Sequence, residues 1–568
     1  MVCGRDPTVS PKELLHLART SRYLSEPALD VIWHTLPSIW PVLLLLPKDL
    51  FLLRHIEIED ENEEEFSSIY KSFFEYDRGR WEFTFLREPI LDDFLLWTKY
   101  SSRVRSVDSD AMSDFLGFLS SDTVNTLQHH CPKPFLPKLA TLSYSERTFS
   151  KSDSVSLPAS FHFSPNLKVV DITVATHPDP DHLRDIINDM ALLAPHVEEL
   201  SLFRYTHHYF LSRQSKTYKP CLRGIETSQL YCLTSFHAVG LFVAFDALLG
   251  LGRLPHLRKL VAQPQIEPHD WAAAFPHGRR DGFFPALQQL KLDGTHANHE
   301  CCIALVGAIA PTSLYSVFLD LRWPRGSPAE ALFTALCAAL GGIPSPDTLQ
   351  EIKISLGRAS FGDGNIYHSA CFEPLLSLGA LRSLRVDGGP RVVVDDAMLY
   401  AMSRAWPAIR TLRFVWSPVI GGQSDPFDWH ESGYRPPAPD APDRPRATLA
   451  GLVPLALRCA DLDDLEVAID MRIVPSFDSH QRPPVFLTTP NLCKVKTLQT
   501  AGCVPGDPWA VAMFLSLVLP QLHYINSSPP YCRWEQVQDY HAKLTALRWQ
   551  ERDWGFDNGK DMKTPVYP

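Results

Sequence analysis

Residues able to do chemistry occur in this chain, but rarely at the spacings that chemistry needs. The densest run of metal-type ligands is His177-Pro178-Asp179-Pro180-Asp181-His182. Imidazole and carboxylate groups suit a divalent cation. The two prolines hold the run extended, however, and Asp179 and Asp181 are acidic residues of the kind that start a helix. His129-His130 and His207-His208 are pairs in predicted loops. Cys301-Cys302 opens an apolar helix with no base nearby to make a thiolate. Gly357–Gly364 holds several glycines without phosphate-cradle spacing. The sequence has no G-x-x-x-x-G-K-[ST] loop, no G-x-S-x-G elbow and no H-E-x-x-H helix. The expectation is a chain that makes no bonds: no enzyme, no cofactor, no metal.

The groups left over are cations, and their positions follow a repeated phrase. It reads Pro-x-Leu-x-x-Leu-x-Leu, with Val or Ile allowed for Leu. Clear copies are Pro165–Leu167–Val170–Ile172, Pro195–Val197–Leu200–Leu202, Pro285–Leu287–Leu290–Leu292 and Pro407–Ile409–Leu412–Phe414. Counting weaker ones, the first apolar positions are Val104, Leu139, Leu167, Val197, Leu222, Leu257, Leu287, Leu314, Leu349, Leu381, Ile409, Leu462, Leu492 and Leu522. Most steps are about 25 to 35 residues, a period that means a solenoid. The last two apolar residues of each copy are two apart and share one face of a strand. The Pro cannot donate a ladder hydrogen bond, so it belongs at the strand's mouth. Between copies lie stretches with helical apolar spacing: Asp181–Leu193, Phe236–Leu249, Cys301–Ile309, Pro328–Leu340, Asp396–Ala405, Thr448–Leu457 and Trp509–Val518. The predicted fold is α/β: a leucine-rich-repeat solenoid, with parallel strands on the concave face and helices on the convex face.

The residue between the last two apolar positions then points to the concave face. In chain order these are Ser143, Asp171, Ser201, Glu226, Val261, Lys291, Phe318, Lys353, Arg385, Arg413, Glu466, Lys496 and Asn526. The early ones are neutral or acidic. From Lys291 to Arg413, four of five are basic, and Lys259 precedes them on the same face. Lys259, Lys291, Phe318, Lys353, Arg385 and Arg413 are therefore the candidate partner-binding residues, for an acidic or phosphorylated protein segment.

Composition narrows the setting. The 568 residues are 45% hydrophobic, enough for a large core, and the net charge of -11 argues against a nucleic-acid binder. None of the twelve cysteines forms a C-x-x-C pair, which fits free buried thiols in a reducing compartment. Met1–Ser10 has no apolar run, and Pro41–Leu53 is too short and too interrupted to span a bilayer. The expectation is an intracellular protein, cytoplasmic or nuclear, that does not engage membranes. The acidic run Glu57–Glu65 reads as a solvated surface.

The run from Leu14 to Trp33, LLHLARTSRYLSEPALDVIW, resembles the second half of an F-box. It is similar to the form in fungal F-box/leucine-rich-repeat proteins. Leu36 to Pro47, Phe85–Phe94 and Tyr100–Arg105 resemble segments those proteins carry next. The family's F-box opens with a Leu-Pro-x-Glu-type helix further upstream, so this one is expected to be N-terminally incomplete. The resemblance implies that Leu14, Leu15, Leu17, Ala18, Tyr23, Leu24, Ala28, Leu29 and Trp33 meet a ubiquitin-ligase adaptor, itself joined to a cullin. It implies a substrate-recognition subunit of an SCF-type ligase, the target held on the solenoid. The other reading is an interaction scaffold that no longer binds the adaptor. The expected organisation is 1–53 partial F-box-like helices, with Leu36–Leu53 an apolar hairpin of short helices. A charged linker and lead-in helix follow at 54–100. Repeats occupy 101–530, with a disordered Pro-rich insert at 421–446, and a capping helix and tail fill 531–568.

Overall fold

The computed structural model describes residues 11–56, 80–108, 116–145, 154–155, 158–174, 180–204, 221–224, 229–265, 282–294, 299–309, 311–321, 329–344, 346–356, 366–388, 391–415, 445–475, 493–500, 505–526 and 532–558. The chain divides into two compact units, Met1–Gln265 and Ile266–Pro568.

In the first unit the strands Thr35–Leu36, Ser106–Asp108, Thr141–Ser145, Val169–Val174, Glu199–Arg204, Ser235–Ala244 and Lys259–Gln265 lie side by side in that order. Every pairing is parallel. In the second unit the same holds for Gln289–Gly294, Ser316–Leu321, Glu351–Leu356, Ser383–Asp387, Thr411–Val415, Asp464–Glu466, Thr497–Gln499 and Tyr524–Asn526. Spatial order follows chain order, so each strand meets only its neighbours in the repeat. Parallel neighbours need a crossover between them. Helices Pro180–Leu193, His299–Ala308, Ala329–Gly341, Asp396–Ala405, Leu452–Arg458 and Pro508–Val518 serve as crossovers, as their apolar spacing predicts. This is the leucine-rich-repeat plan.

The phrase has a local cause. The N–H of its first apolar residue donates to the carbonyl three residues back: Leu139 to Leu136, Leu167 to Ser164, Val197 to Ala194, Ile409 to Trp406, Leu522 to Leu519. That closes a β-turn, and Pro137, Pro165, Pro195, Pro407 and Pro520 take its second position, where proline's fixed φ fits. The strand's alternation then buries Leu290, Leu292, Val317, Leu319, Ile352, Ile354, Leu384 and Val386. Gly388 ends one strand at φ +72°, where a Cβ would lie 2.7 Å from the Leu356 carbonyl oxygen, so this turn needs glycine.

Two expected copies are out of register. Cys221–Leu222 does form a short strand, but it pairs with Phe242–Val243 at the far end of a long neighbour. The repeat copy is Leu233–Phe236–Ala238, with its turn from Leu230 to Leu233 and strand Ser235–Ala244 where a helix over Phe236–Leu249 was expected. The helix there is shortened to Phe245–Leu251. This copy lacks the turn proline that marks the clearest copies. Near the end, strand Thr497–Gln499 follows Val495, so the copy starts at Val495 and not at Leu492, which lies outside the described residues.

The N-terminal region also differs from expectation. Leu36–Leu53 is not a pair of helices: Thr35–Leu36 is the first strand of the array, Trp40–Leu43 is one helical turn, and Phe51–Ile56 is a strand. Phe51–Ile56 pairs antiparallel with Arg80–Phe85, which runs parallel to Leu116–Ser120 in a separate sheet. Phe83 is the packed centre, stacked on Phe51 at 4.6 Å. The acidic run Glu57–Glu65 and residues 421–444 of the insert lie outside the described residues. At the other end, helix Cys532–Asn558 buries Trp534 and Val537. Among the described residues no helix is long and apolar enough to cross a membrane.

His162 gives a test of the first unit's core. Its ring is buried 5.7 Å from that of Tyr144, and its Nδ1 makes no hydrogen bond. Burial pushes its pKa down from 6.5 to about 4. Between those values the folded chain binds fewer protons than the unfolded chain, so stability falls as pH drops through that window. Urea unfolding at pH 7.5 and pH 4.5 should show a loss of about 3 kcal/mol from this residue. His162→Gln should remove that part of the pH dependence.

Candidate partner-binding surface

The outward residues of the second unit form straight rows, because the strands pair without offset. Lys291, Phe318, Lys353, Arg385, Arg413, Glu466 and Gln499 stand opposite one another in sequence across seven strands. A second row on the same face holds Asp293, Asp320, Ser355, Asp387 and Val415. Neighbours in a row are about 4.8 Å apart. A basic row therefore runs beside a partly acidic one. The acidic row has a sequence signal: Asp293, Asp320 and Asp387 each stand two residues after a member of the basic row.

The contacts sort the cations into three kinds. Lys291 and Lys353 place their Nζ atoms 4.9 Å and 5.0 Å from the centre of the Phe318 ring. Each such contact is worth about 0.5–1 kcal/mol at an exposed site and steadies the two ammonium groups. Lys353 also reaches Asp387 at 3.5 Å, and Arg413 Nε donates to Asp464 Oδ2 at 2.5 Å. Arg385 has neither kind of partner among the described residues. Its Nε is buried without a hydrogen bond, and its row neighbours are the cations Lys353 and Arg413. Adjacent like charges destabilise a sheet, and a buried unmade hydrogen bond costs about 1–3 kcal/mol. The centre of this row is thus held short of an anion. At the row's end Glu466 is 5% exposed. Burial raises its pKa to about 7, opposed by Arg413 and reinforced by Asp387 and Asp464.

The first unit's row is different. Asp108, Ser143, Asp171, Ser201, His237 and Val261 stand in register. His237 fills the place expected for Glu226, which lies outside the described residues, and Gln499 in the second unit fills that expected for Lys496. Lys259 is half-buried, two residues before Val261 on the same face, opposite Ser235.

The F-box-like residues lie on two paired helices, Pro11–Thr20 and Arg22–His34. Leu15, Leu17, Tyr23 and Leu24 are exposed at 49%, 41%, 93% and 43%. Leu15 and Leu17 thus point outward. Leu14, Ala18, Leu29 and Trp33 are half-buried and Ala28 is buried. The second helix is fastened to the array. Arg103 pairs with Glu26 and Asp30, Trp33 packs on Tyr100 at 4.8 Å, and the chain leads straight into the Thr35–Leu36 strand.

The other chemistry-bearing residues stay apart. Residues 177–179, His207-His208 and Gly357–Gly364 lie outside the described residues, while Asp181 falls in the first turn of its helix. His129 Nδ1 sits 2.7 Å from the Asn125 carbonyl oxygen, within its own helix. Cys301 and Cys302 are buried thiols that form no disulfide, and burial raises the pKa of Cys302, as it does that of Cys337. Among the described residues no three His, Cys, Asp or Glu side chains are placed to hold a metal.

No protein-family model matches the sequence, and no curated protein matches it. Among solved structures the chain is similar to a plant peptide hormone receptor, RGFR1, in complex with RGF2. The identity is 10% and the TM-score 0.26, over 75% of this chain and 66% of that one. At that level the likeness adds nothing to what the strand register already shows.

The unbalanced centre of the basic row predicts a stability gain on its removal. Arg385→Met keeps the aliphatic stem and deletes the charge. It should stabilise the chain by roughly 0.2–1 kcal/mol in low salt. The gain should shrink in 1 M salt, where the Debye length is about 3 Å. Urea midpoints at both salt concentrations measure it.

Proposed function

We propose that the protein is a non-catalytic receptor that holds a protein or peptide partner on the open face of its parallel strands. The observation that carries this reading is Arg385, a cation that is set between two others and whose side chain makes no hydrogen bond or ion pair among the described residues. Guanidinium groups at such positions favour carboxylate or phosphoryl oxygens. The partner is then an acidic or phosphorylated segment, with Lys291, Lys353 and Arg413 adding charge and Phe318 an apolar contact.

The N-terminal helices suggest what the capture is for. Leu15, Leu17, Tyr23 and Leu24 present apolar surface on a helical pair, as expected where another protein docks. Together with the F-box-like sequence, this supports a substrate-recognition subunit of an SCF-type ubiquitin ligase, with bond chemistry left to other subunits. A second reading has its own observation. The Arg103 pairs and the Thr35–Leu36 strand make these helices the first unit of the array, which fits a capping role in a scaffold that binds no adaptor.

Affinity purification of the full chain with mass spectrometry separates the readings. In the triple variant Lys353→Glu, Arg385→Glu, Arg413→Glu, target proteins should be lost and adaptor and cullin retained. In Leu15→Asp, Leu17→Asp, Tyr23→Asp, adaptor and cullin should be lost and targets retained. An unchanged partner list in the first variant refutes the surface. Recovery of targets without adaptor from the wild type supports the scaffold.

A further inference from the structure

The basic row ends on a residue that receptor function alone does not explain. Glu466 is nearly inaccessible although it belongs to the outward row. The preceding strand presents Arg413 to it, its own strand Asp464, and the strand before Arg413 presents Asp387. The following strand presents the neutral Gln499. Arg385 lies one strand beyond Arg413. Arg413 commits its Nε to Asp464, so Glu466 does not own a guanidinium. In the amide orientation that satisfies both neighbours, Gln499 donates to Glu466 Oε2 at 2.9 Å and accepts from an Arg413 terminal nitrogen at 3.2 Å. The three side chains therefore form one bonded set.

We propose that Glu466 is a proton-operated regulator of the basic row, loosening its hold on Arg413 when protonated and thereby tightening capture of an anionic partner. This rests on reading the row as an anion-binding surface. The charge balance gives the direction. With Glu466 ionised, Lys353, Arg385 and Arg413 face three carboxylates, those of Asp387, Asp464 and Glu466. With it protonated they face two, and the end of the row becomes net positive. The cluster sets the transition: burial, Asp387 and Asp464 resist ionisation and, against Arg413, raise the pKa to about 7, while the Gln499 amide, donating to the carboxylate, favours the ionised form alongside Arg413. Glu466 never touches the partner. It acts through Arg413, whose side chain keeps 27% of its surface exposed.

A fluorescent hexaglutamate peptide is a suitable probe, because its own carboxylates stay ionised above pH 6. Its affinity for the full chain, read by anisotropy, should weaken about tenfold from pH 6 to pH 8. Glu466→Gln, which fixes the neutral form, should keep the tighter affinity across that range. Parallel profiles for wild type and variant overturn the regulator while leaving the surface intact. No peptide binding by either chain at any pH refutes the surface, and capture control with it. A second measurement tests the titration without any ligand. Glu466 has a folded pKa raised above its ordinary 4.5, so the folded state holds more protons than the unfolded state between 4.5 and about 7. Stability must therefore fall as pH rises through that window. The wild type should lose melting temperature relative to Glu466→Gln between pH 5 and pH 7.5. An unchanging difference shows that Glu466 does not titrate there and overturns the proposal.

Discussion

At almost every step of the two parallel stacks, one backbone carbonyl accepts hydrogen bonds from two successive N–H groups of the next copy. Arg105 receives Ala140 and Thr141, Ala140 receives Lys168 and Val169, and Lys168 receives Glu198 and Glu199. In the second unit Tyr315 receives Gln350 and Glu351, Gln350 receives Arg382 and Ser383, and Arg382 receives Arg410 and Thr411. The acceptor is always the residue just after the first apolar position of the phrase. Each bond contributes only about 0.5–1.5 kcal/mol net. Its larger effect is positional: a shared acceptor sets the strand's start, and the side-chain period of two does the rest.

Register then decides electrostatics. Because strands start level, outward residues at one position in the phrase become lateral neighbours whatever lies between them in sequence. Arg413 and Glu466 are more than fifty residues apart along the chain and directly opposite in the sheet. The same rule sets Lys353, Arg385 and Arg413 side by side, a placement that costs stability unless something anionic arrives. Surfaces built for binding commonly carry such a local deficit. Here it is partly offset within the fold by Phe318 between two ammonium groups, by Asp387 and by Asp464.

Much of this was readable from residue types. The turn prolines and the apolar spacing located most strands, and the alternation picked out Lys291, Phe318, Lys353, Arg385 and Arg413 as one row. What was not readable has physical reasons. The copy at Leu233 uses Leu230-Tyr231-Cys232 for its turn, so it lacks the usual mark, and Phe236–Ala244 carries apolar residues on both faces, which periodicity confuses with a helix. The hairpin of Phe51–Ile56 with Arg80–Phe85 joins strands separated by a charged segment with no turn signal. The pairing of Arg413 with Asp464 spans an insert of irregular length, so the counter-charge came only with the register. Half-buried Trp33 had no visible partner in sequence, yet Tyr100 lies against it across the first strands of the array.

The central claim is level, parallel pairing of the strands, and paired cysteines measure it directly. Ser355 and Asp387 face each other on the open side, within the reach of a disulfide if their strands pair as described. Ser355→Cys with Asp387→Cys should oxidise to an intramolecular bridge in the folded full chain. Ser355→Cys with Ser383→Cys, offset by four residues on the same strand, should not. Equal bridging of both pairs, or bridging of the offset pair alone, would contradict the register on which the surface and its chemistry depend.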